Sequence, residues 1–206
     1  MGRTDLVCLG DSIVYGYGTY PQYAWPRLAA EKLGITILNR GENGDTSDGM
    51  NVRFMEDVVF NRPNEVLIMA GANDILMGIP QSHTCESIQM LIRKSREANI
   101  RPIIGIPIQI DGEMLKKCWF SFYSIEQTTQ MFESYRRWLL EYCREQKIPV
   151  VDFQKLYPEY LKRAGVRQAY VDGVHPTREG YAVLAEIFCD TYRMIHKGDQ
   201  SLKKGE

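Results

Sequence analysis

The stretch Leu6-Val7-Cys8-Leu9-Gly10-Asp11-Ser12-Ile13-Val14-Tyr15-Gly16 runs from an apolar segment through a polar turn into a second apolar segment. Leu6 to Leu9 is unbroken by any charged or amide side chain, which suits a short strand buried on both faces. Gly10 gives the backbone room to bend, and Ser12 follows directly at the strand's end. The same pattern recurs along the chain. Ile35–Leu38, Val66–Ala70, Ile103–Ile106 and Pro149–Phe153 read as four further strands.

Helix-period stretches separate these runs. They cover Trp25–Leu33, closed by Gly34 as a C-cap, then Asp48–Phe60, Thr84–Ala98, Ile125–Gln146 and Arg178–Ile195, the last with Thr177 as N-cap. Alternation of strand and helix predicts parallel strands joined by right-handed crossovers. The expected fold class is α/β: a three-layer α/β/α sandwich around a five-stranded parallel sheet. Ligands of such sheets bind at the carboxyl ends of the strands, so candidate site residues should lie just after strands.

The 206 residues suffice for one domain, expected over residues 1–196, with a polar, frayed tail over 197–206. Hydrophobic residues make up 44% and charged residues 25%, the balance of an ordinary globular protein. A net charge of -1 argues against a nucleic-acid partner, which needs an excess of Lys and Arg. The cysteines Cys8, Cys85, Cys118, Cys143 and Cys189 are odd in number and show no Cys-x-x-Cys spacing. Reduced thiols are expected, with no disulfide framework, metal or cofactor. No run approaches the roughly 20 apolar residues of a membrane span, so stable membrane insertion is not expected. Met1 leads into a strand rather than a secretory leader, which makes cytoplasmic the simplest location. A homo-oligomer stays open.

Four segments carry candidate chemistry. Gly10-Asp11-Ser12 presents a hydroxyl at the sheet edge; the plain alternative is that Ser12 caps the next helix. Gly41-Glu42-Asn43-Gly44 precedes a helix, where a glycine N–H can face an anion, or merely turns the chain. Gly71-Ala72-Asn73-Asp74 offers an amide to a developing negative oxygen, or an Asx turn. Asp172-Gly173-Val174-His175-Pro176 differs from the surroundings of the other two histidines, His83 and His196, because a carboxylate lies three residues upstream across a glycine. A turn there can set Asp172 on Nδ1 of His175 and leave Nε2 to accept a proton from a serine. His83 opens a helix, and His196 adjoins the polar tail and reads as solvated. A serine hydrolase needs a hydroxyl nucleophile, an oriented base and oxyanion donors together, and these segments supply all three.

In these four blocks the sequence resembles the GDSL, or SGNH, hydrolase family of esterases and lipases. Ile13 stands where the family name has Leu, and all four blocks occur in family order across nearly the whole chain. The resemblance implies a flavodoxin-like fold, a Ser12–His175–Asp172 triad, and an oxyanion hole made of the Ser12 N–H, the Gly44 N–H and the Asn73 amide. Asp11 and Asp74 would orient loops. The implied reaction is hydrolysis of acyl esters, or thioesters, of small or lipid-like substrates through an acyl-enzyme. A carbohydrate O-acetyl esterase using the same residues is the first alternative. A ligand-binding module of flavodoxin-like form with little turnover is the second. No P-loop sequence supports a nucleotide site.

Tyr15, Met77, Ile108, Trp119 and Phe122 are candidate substrate-binding residues, since they follow the strand ends and are apolar or aromatic. Tyr17 also follows the nucleophile closely. Pro107 to Tyr123 is long for a connection in this fold, and reads as a lid or pocket wall, or else as an oligomer contact.

Overall fold

A computed structural model describes residues 4–118 and 123–202, with side chains described as far as residue 198. Among the described residues five parallel strands form one sheet in the order β2-β1-β3-β4-β5. They are β1 (Leu6–Gly10), β2 (Ile37–Gly41), β3 (Glu65–Met69), β4 (Arg101–Ile106) and β5 (Val150–Asp152). The expected α/β sandwich is therefore the observed one.

Alternation along each strand divides the core into two halves. Val7, Leu9, Val66, Ile68, Ile104 and Ile106 point to one face of the sheet and meet Phe54, Leu91 and Tyr135. These come from α3 (Ser47–Asp57), α5 (Gln81–Glu97) and α7 (Ile125–Gln146). Leu6, Cys8, Leu67, Met69, Ile103 and Val151 point to the other face and meet Trp25, Tyr157 and Phe188. Those three belong to α2 (Trp25–Leu33), α8 (Phe153–Ala164) and α9 (Arg178–Leu202). Each fully buried aliphatic side chain contributes about 1.5–3 kcal/mol relative to exposure, so the doubly covered strands hold the layers together.

The apolar pattern misplaces some boundaries. β2 lies two residues later than expected at its start and extends through Asn39, Arg40 and Gly41. Its ladder to β1 pairs Cys8 with Asn39 and Gly10 with Gly41, and backbone pairing at a half-buried edge strand does not require apolar side chains. Helix α8 has no counterpart among the expected helices. It begins at Phe153 directly from β5, capped by Asp152, and contains Pro158, which reads as a helix breaker. Helix α9 runs on to Leu202, so the first part of the supposed frayed tail is helical. The five cysteines are free thiols. Among the described residues no helix is long and apolar enough to cross a membrane.

The register positions the site. Gly10, Gly41 and Met69 lie abreast at the carboxyl ends of β1, β2 and β3. The loops bearing Ser12, Gly44 and Asn73 therefore leave the sheet at one level. The chain passes from β1 to β2 on one side and to β3 on the other, and this is the crevice where open α/β sheets bind ligands.

Candidate active site

Ser12 is the first residue of α1 (Ser12–Tyr15). The cap of this short helix is Asp11, whose Oδ1 accepts the Ile13 N–H at 2.9 Å. Capping therefore does not occupy the Ser12 hydroxyl. Gly10 is needed for close approach: a Cβ there would meet Val14 Cγ2 at 2.3 Å, so the helix could not fold back over the strand end. Asp11 is buried, and its carboxyl is pushed up to about 7 by that burial, opposed by the Ile13 N–H and reinforced by the Asp45 and Asp74 charges.

Ser12 Oγ lies 2.9 Å from His175 Nε2, although the two residues are 163 positions apart. Both are buried. His175 Nδ1 lies 2.7 Å from Asp172 Oδ2. The other carboxylate oxygen, Oδ1, accepts the N–H groups of His175 at 2.8 Å and Val174 at 3.0 Å. Asp172 thus shapes the turn and orients the ring with one side chain. A carboxylate on Nδ1 keeps the proton on that nitrogen, which leaves Nε2 as the acceptor facing the hydroxyl. Burial raises the Asp172 carboxyl, but the two backbone N–H groups and the imidazole outweigh it, and its pKa lies below the ordinary carboxylate value. The Val171 N–H donates to the His175 carbonyl at 2.8 Å, and Thr177 Oγ1 caps α9 by accepting the Gly180 N–H at 3.2 Å. The histidine is therefore held from both sides.

The other two loops meet each other beside this chain. Asn73, in α4 (Ala72–Leu76), donates from Nδ2 to the Asp45 carbonyl at 2.9 Å. This bond fixes the amide plane and leaves its second N–H for another acceptor. The neighbouring Gly44 is exposed with a φ of 76°, and a Cβ there would point into open space. The Glu42 N–H donates to the Gly10 carbonyl at 3.0 Å, tying this loop to the strand that precedes Ser12. Asp74 is buried and accepts the Ser47 N–H at 3.1 Å and the Thr84 hydroxyl at 3.3 Å, which docks the start of α3 against α5. All residues expected at the reacting centre thus lie at one edge of the sheet.

The expected substrate-binding residues separate. Tyr15 is exposed and lines a cleft of about 360 Å³ together with Gly16, Thr19, Pro21, Ile37 and Gly41. Met77 is exposed just past α4. Ile108 is buried in the core half that contains Trp25 and Phe153, so it offers no surface to a ligand. Trp119 and Phe122 lie outside the described residues. The segment after β4 leans on the histidine loop. The Asp111 N–H donates to the Gly173 carbonyl at 2.8 Å, and α6 (Gly112–Cys118) leaves no room for a Cβ on Gly173.

Tyr17 makes a contact that emerges only from the fold: its ring lies 4.3 Å from that of His175, while its carbonyl accepts the Tyr181 hydroxyl at 3.0 Å. Nearness to the serine along the chain is the one sequence signal for it. His196 is not merely solvated, since its Nε2 lies 3.2 Å from the buried Glu65 carboxylate, at the opposite end of the sheet.

Residues 8–183 match the GDSL-like Lipase/Acylhydrolase family. Over 183 residues the chain is 25% identical to thioesterase 1/protease 1/lysophospholipase L1 of Escherichia coli K12, covering 88% of this chain and 79% of that protein. It is 26% identical over 167 residues to an acetylxylan esterase of Geobacillus stearothermophilus, covering 76% and 72%. A solved member of the lipolytic G-D-S-L family from Veillonella parvula shares the fold, with a TM-score of 0.75 and 22% identity over 91% of this chain and 97% of that one. With a match spanning most of the chain and a sheet of the same form, this protein belongs to the GDSL-like lipase/acylhydrolase family of esterases, thioesterases and acylhydrolases.

Proposed function

We propose that the protein hydrolyses acyl esters, thioesters included, through an acyl-enzyme on Ser12. The carrying observation is the chain of hydrogen bonds from Ser12 Oγ to His175 Nε2 at 2.9 Å and from His175 Nδ1 to Asp172 at 2.7 Å. Ser12 Oγ attacks the acyl carbonyl while His175 takes its proton. The carbonyl oxygen becomes an oxyanion and is received by the Ser12 N–H, the Gly44 N–H and the second N–H of Asn73. His175 then protonates the leaving alcohol or thiol as the C–O or C–S bond breaks. Water, deprotonated by the same imidazole, attacks the acyl-enzyme and releases the acid and free Ser12. Asp172 stays ionised throughout and stabilises the imidazolium.

Tyr15 and Tyr17, exposed just after the serine, and Met77, exposed just after α4, support small or lipid-like acyl groups as substrates. The acetylxylan esterase relative supports sugar acetates as the second reading. Purified protein is to be tested on p-nitrophenyl esters of increasing chain length, on acyl-CoA and on acetylated sugars, with fluorophosphonate labelling alongside. The expected result is ester hydrolysis and labelling that both vanish in Ser12→Ala. Folded protein that neither labels nor turns over any of these substrates would favour a binding module.

A further inference from the structure

An oxyanion site assembled from three loops needs something to set the distances between them. Arg53 lies in the second half of α3, its side chain only 12% exposed, and it touches two of those loops at once. Its Nη2 donates to the Gly10 carbonyl at 2.9 Å, at the end of β1, two residues before Ser12. Its Nε donates to Asp45 Oδ2 at 2.8 Å, one residue after Gly44, and Nη2 lies 2.7 Å from the same oxygen. Nη1 donates to the Arg40 carbonyl at 3.0 Å near the end of β2, and to Asp57 Oδ2 at 2.6 Å on the next turn of α3.

Asp45 is the other half of the device. Its carboxylate faces Arg53, and its own carbonyl accepts the Asn73 amide. Its Oδ1 also accepts the Thr46 N–H at 3.0 Å, which locks the side chain to the loop. The carboxylate reaches this position only because residue 49 is glycine: a Cβ there would lie 1.8 Å from Asp45 Oδ1. One guanidinium is therefore bonded to the strand end that carries the nucleophile, and to the residue that joins Gly44 to Asn73.

We propose that Arg53 is the positioning residue of the oxyanion hole, acting through Asp45 to fix the Gly44 N–H and the Asn73 amide relative to the Ser12 N–H. This rests on the assignment of Ser12 and its donors given above. A planar fork with donors on two edges can serve two carbonyls and two carboxylates together; an ammonium is a single point and cannot. Misplacing a catalytic group by about 1 Å costs up to roughly 10²-fold in rate, so a residue that touches no substrate can still govern turnover.

The test is a double-mutant cycle on ester hydrolysis with Arg53→Lys and Asn73→Ala, with thermal unfolding of each protein recorded. Arg53→Lys is expected to lower kcat roughly 10- to 100-fold with KM little changed. The combined variant should lose less than the product of the single losses, by about threefold or more, because both act on one set of donors. Asp45→Asn, which keeps the acceptor and drops the charge, should reproduce the Arg53→Lys loss, and it carries the test if Arg53→Lys fails to fold. Losses that multiply, or folded Arg53→Lys and Asp45→Asn proteins with wild-type kcat, would overturn the proposal. Full activity in Asn73→Ala, with labelling still dependent on Ser12, would remove the oxyanion assignment beneath it while leaving the nucleophile in place.

Discussion

Among the described residues two groups join a serine, a histidine and an aspartate, and their bonds run in different orders. In the first, His175 stands between Ser12 and Asp172, and the serine and histidine are buried at the carboxyl edge of the sheet. In the second, Asp48 stands in the middle. His83 Nε2 lies 2.6 Å from Asp48 Oδ2, and Ser87 donates its hydroxyl to Asp48 Oδ1. There the His83 and Asp48 side chains are 51% and 53% exposed. The three residue types are the same, but only the first order sets an imidazole where it can accept a serine's proton with a carboxylate to support the charge. In the second, the serine is bonded to a carboxylate of low pKa, held down chiefly by the bonds from Ser87 and His83. That group links α3 to α5; composition alone does not distinguish it from the first.

Substitutions in matched positions test this contrast. The largest effect is expected at the serines. Ser12→Ala should lower kcat by on the order of 10⁴-fold or more, as removal of a triad nucleophile does, whereas Ser87→Ala should stay within about twofold. Steady-state ester hydrolysis checks both, and a comparable loss in Ser87→Ala would erase the distinction. Next come the carboxylates. Asp172→Asn should cost roughly 10⁴-fold through the wrong histidine tautomer, with Asp48→Asn near wild type. A defect in Asp172→Asn of only a few-fold would show that the backbone around His175 orients the ring unaided. Asn73→Ala follows, with an expected loss of ~10²–10³-fold in kcat and little change in KM.

The smallest effect is on stability and concerns pH. Asp11 is buried beside the first group, and its pKa is raised to about 7. A carboxyl raised on folding stabilises the native state fully below its unfolded value near pH 4, and that contribution is lost as pH rises through about 7. Asp11→Asn keeps a capping oxygen and never ionises. Urea unfolding should therefore find Asp11→Asn more stable than wild type at about pH 8, by on the order of 1 kcal/mol or more, and equal to it below about pH 4. The Asp172 carboxyl is lowered instead, so its contribution has the opposite sign: it is present above the unfolded value and lost as pH falls through the folded one. Equal pH dependence of wild type and Asp11→Asn would show that the buried carboxyl is hydrated.

The candidate site is legible in the sequence where chemistry is local. Asp172 and His175 are three residues apart across a glycine, and that spacing alone allows the turn that joins them. Ser12, Gly44 and Asn73 each follow a strand that its apolar run announces. Arg53 is not legible, because a single arginine on a helix ordinarily reads as a solvated charge, and its carbonyl partners belong to other strands. Ile108 follows β4 as a pocket residue would but turns into the core, since apolar character marks burial as readily as ligand contact. Helix α8 is hidden by Pro158.

Apolar runs of strand length alternating with amphipathic helices establish the α/β class, and the residues that follow each run establish the chemical inventory at the strand ends. Which groups bond to which follows from the packing of the folded chain. Ser12 and His175 meet across 163 residues because parallel strands bring their carboxyl ends to one edge of the sheet, and the segment between α8 and α9 returns to that edge. The same packing put Arg53 across two strand ends, and left Asp48 and His83 exposed where α3 meets α5. Local pattern records which side chains want water and which do not; distances between loops belong to the packed chain.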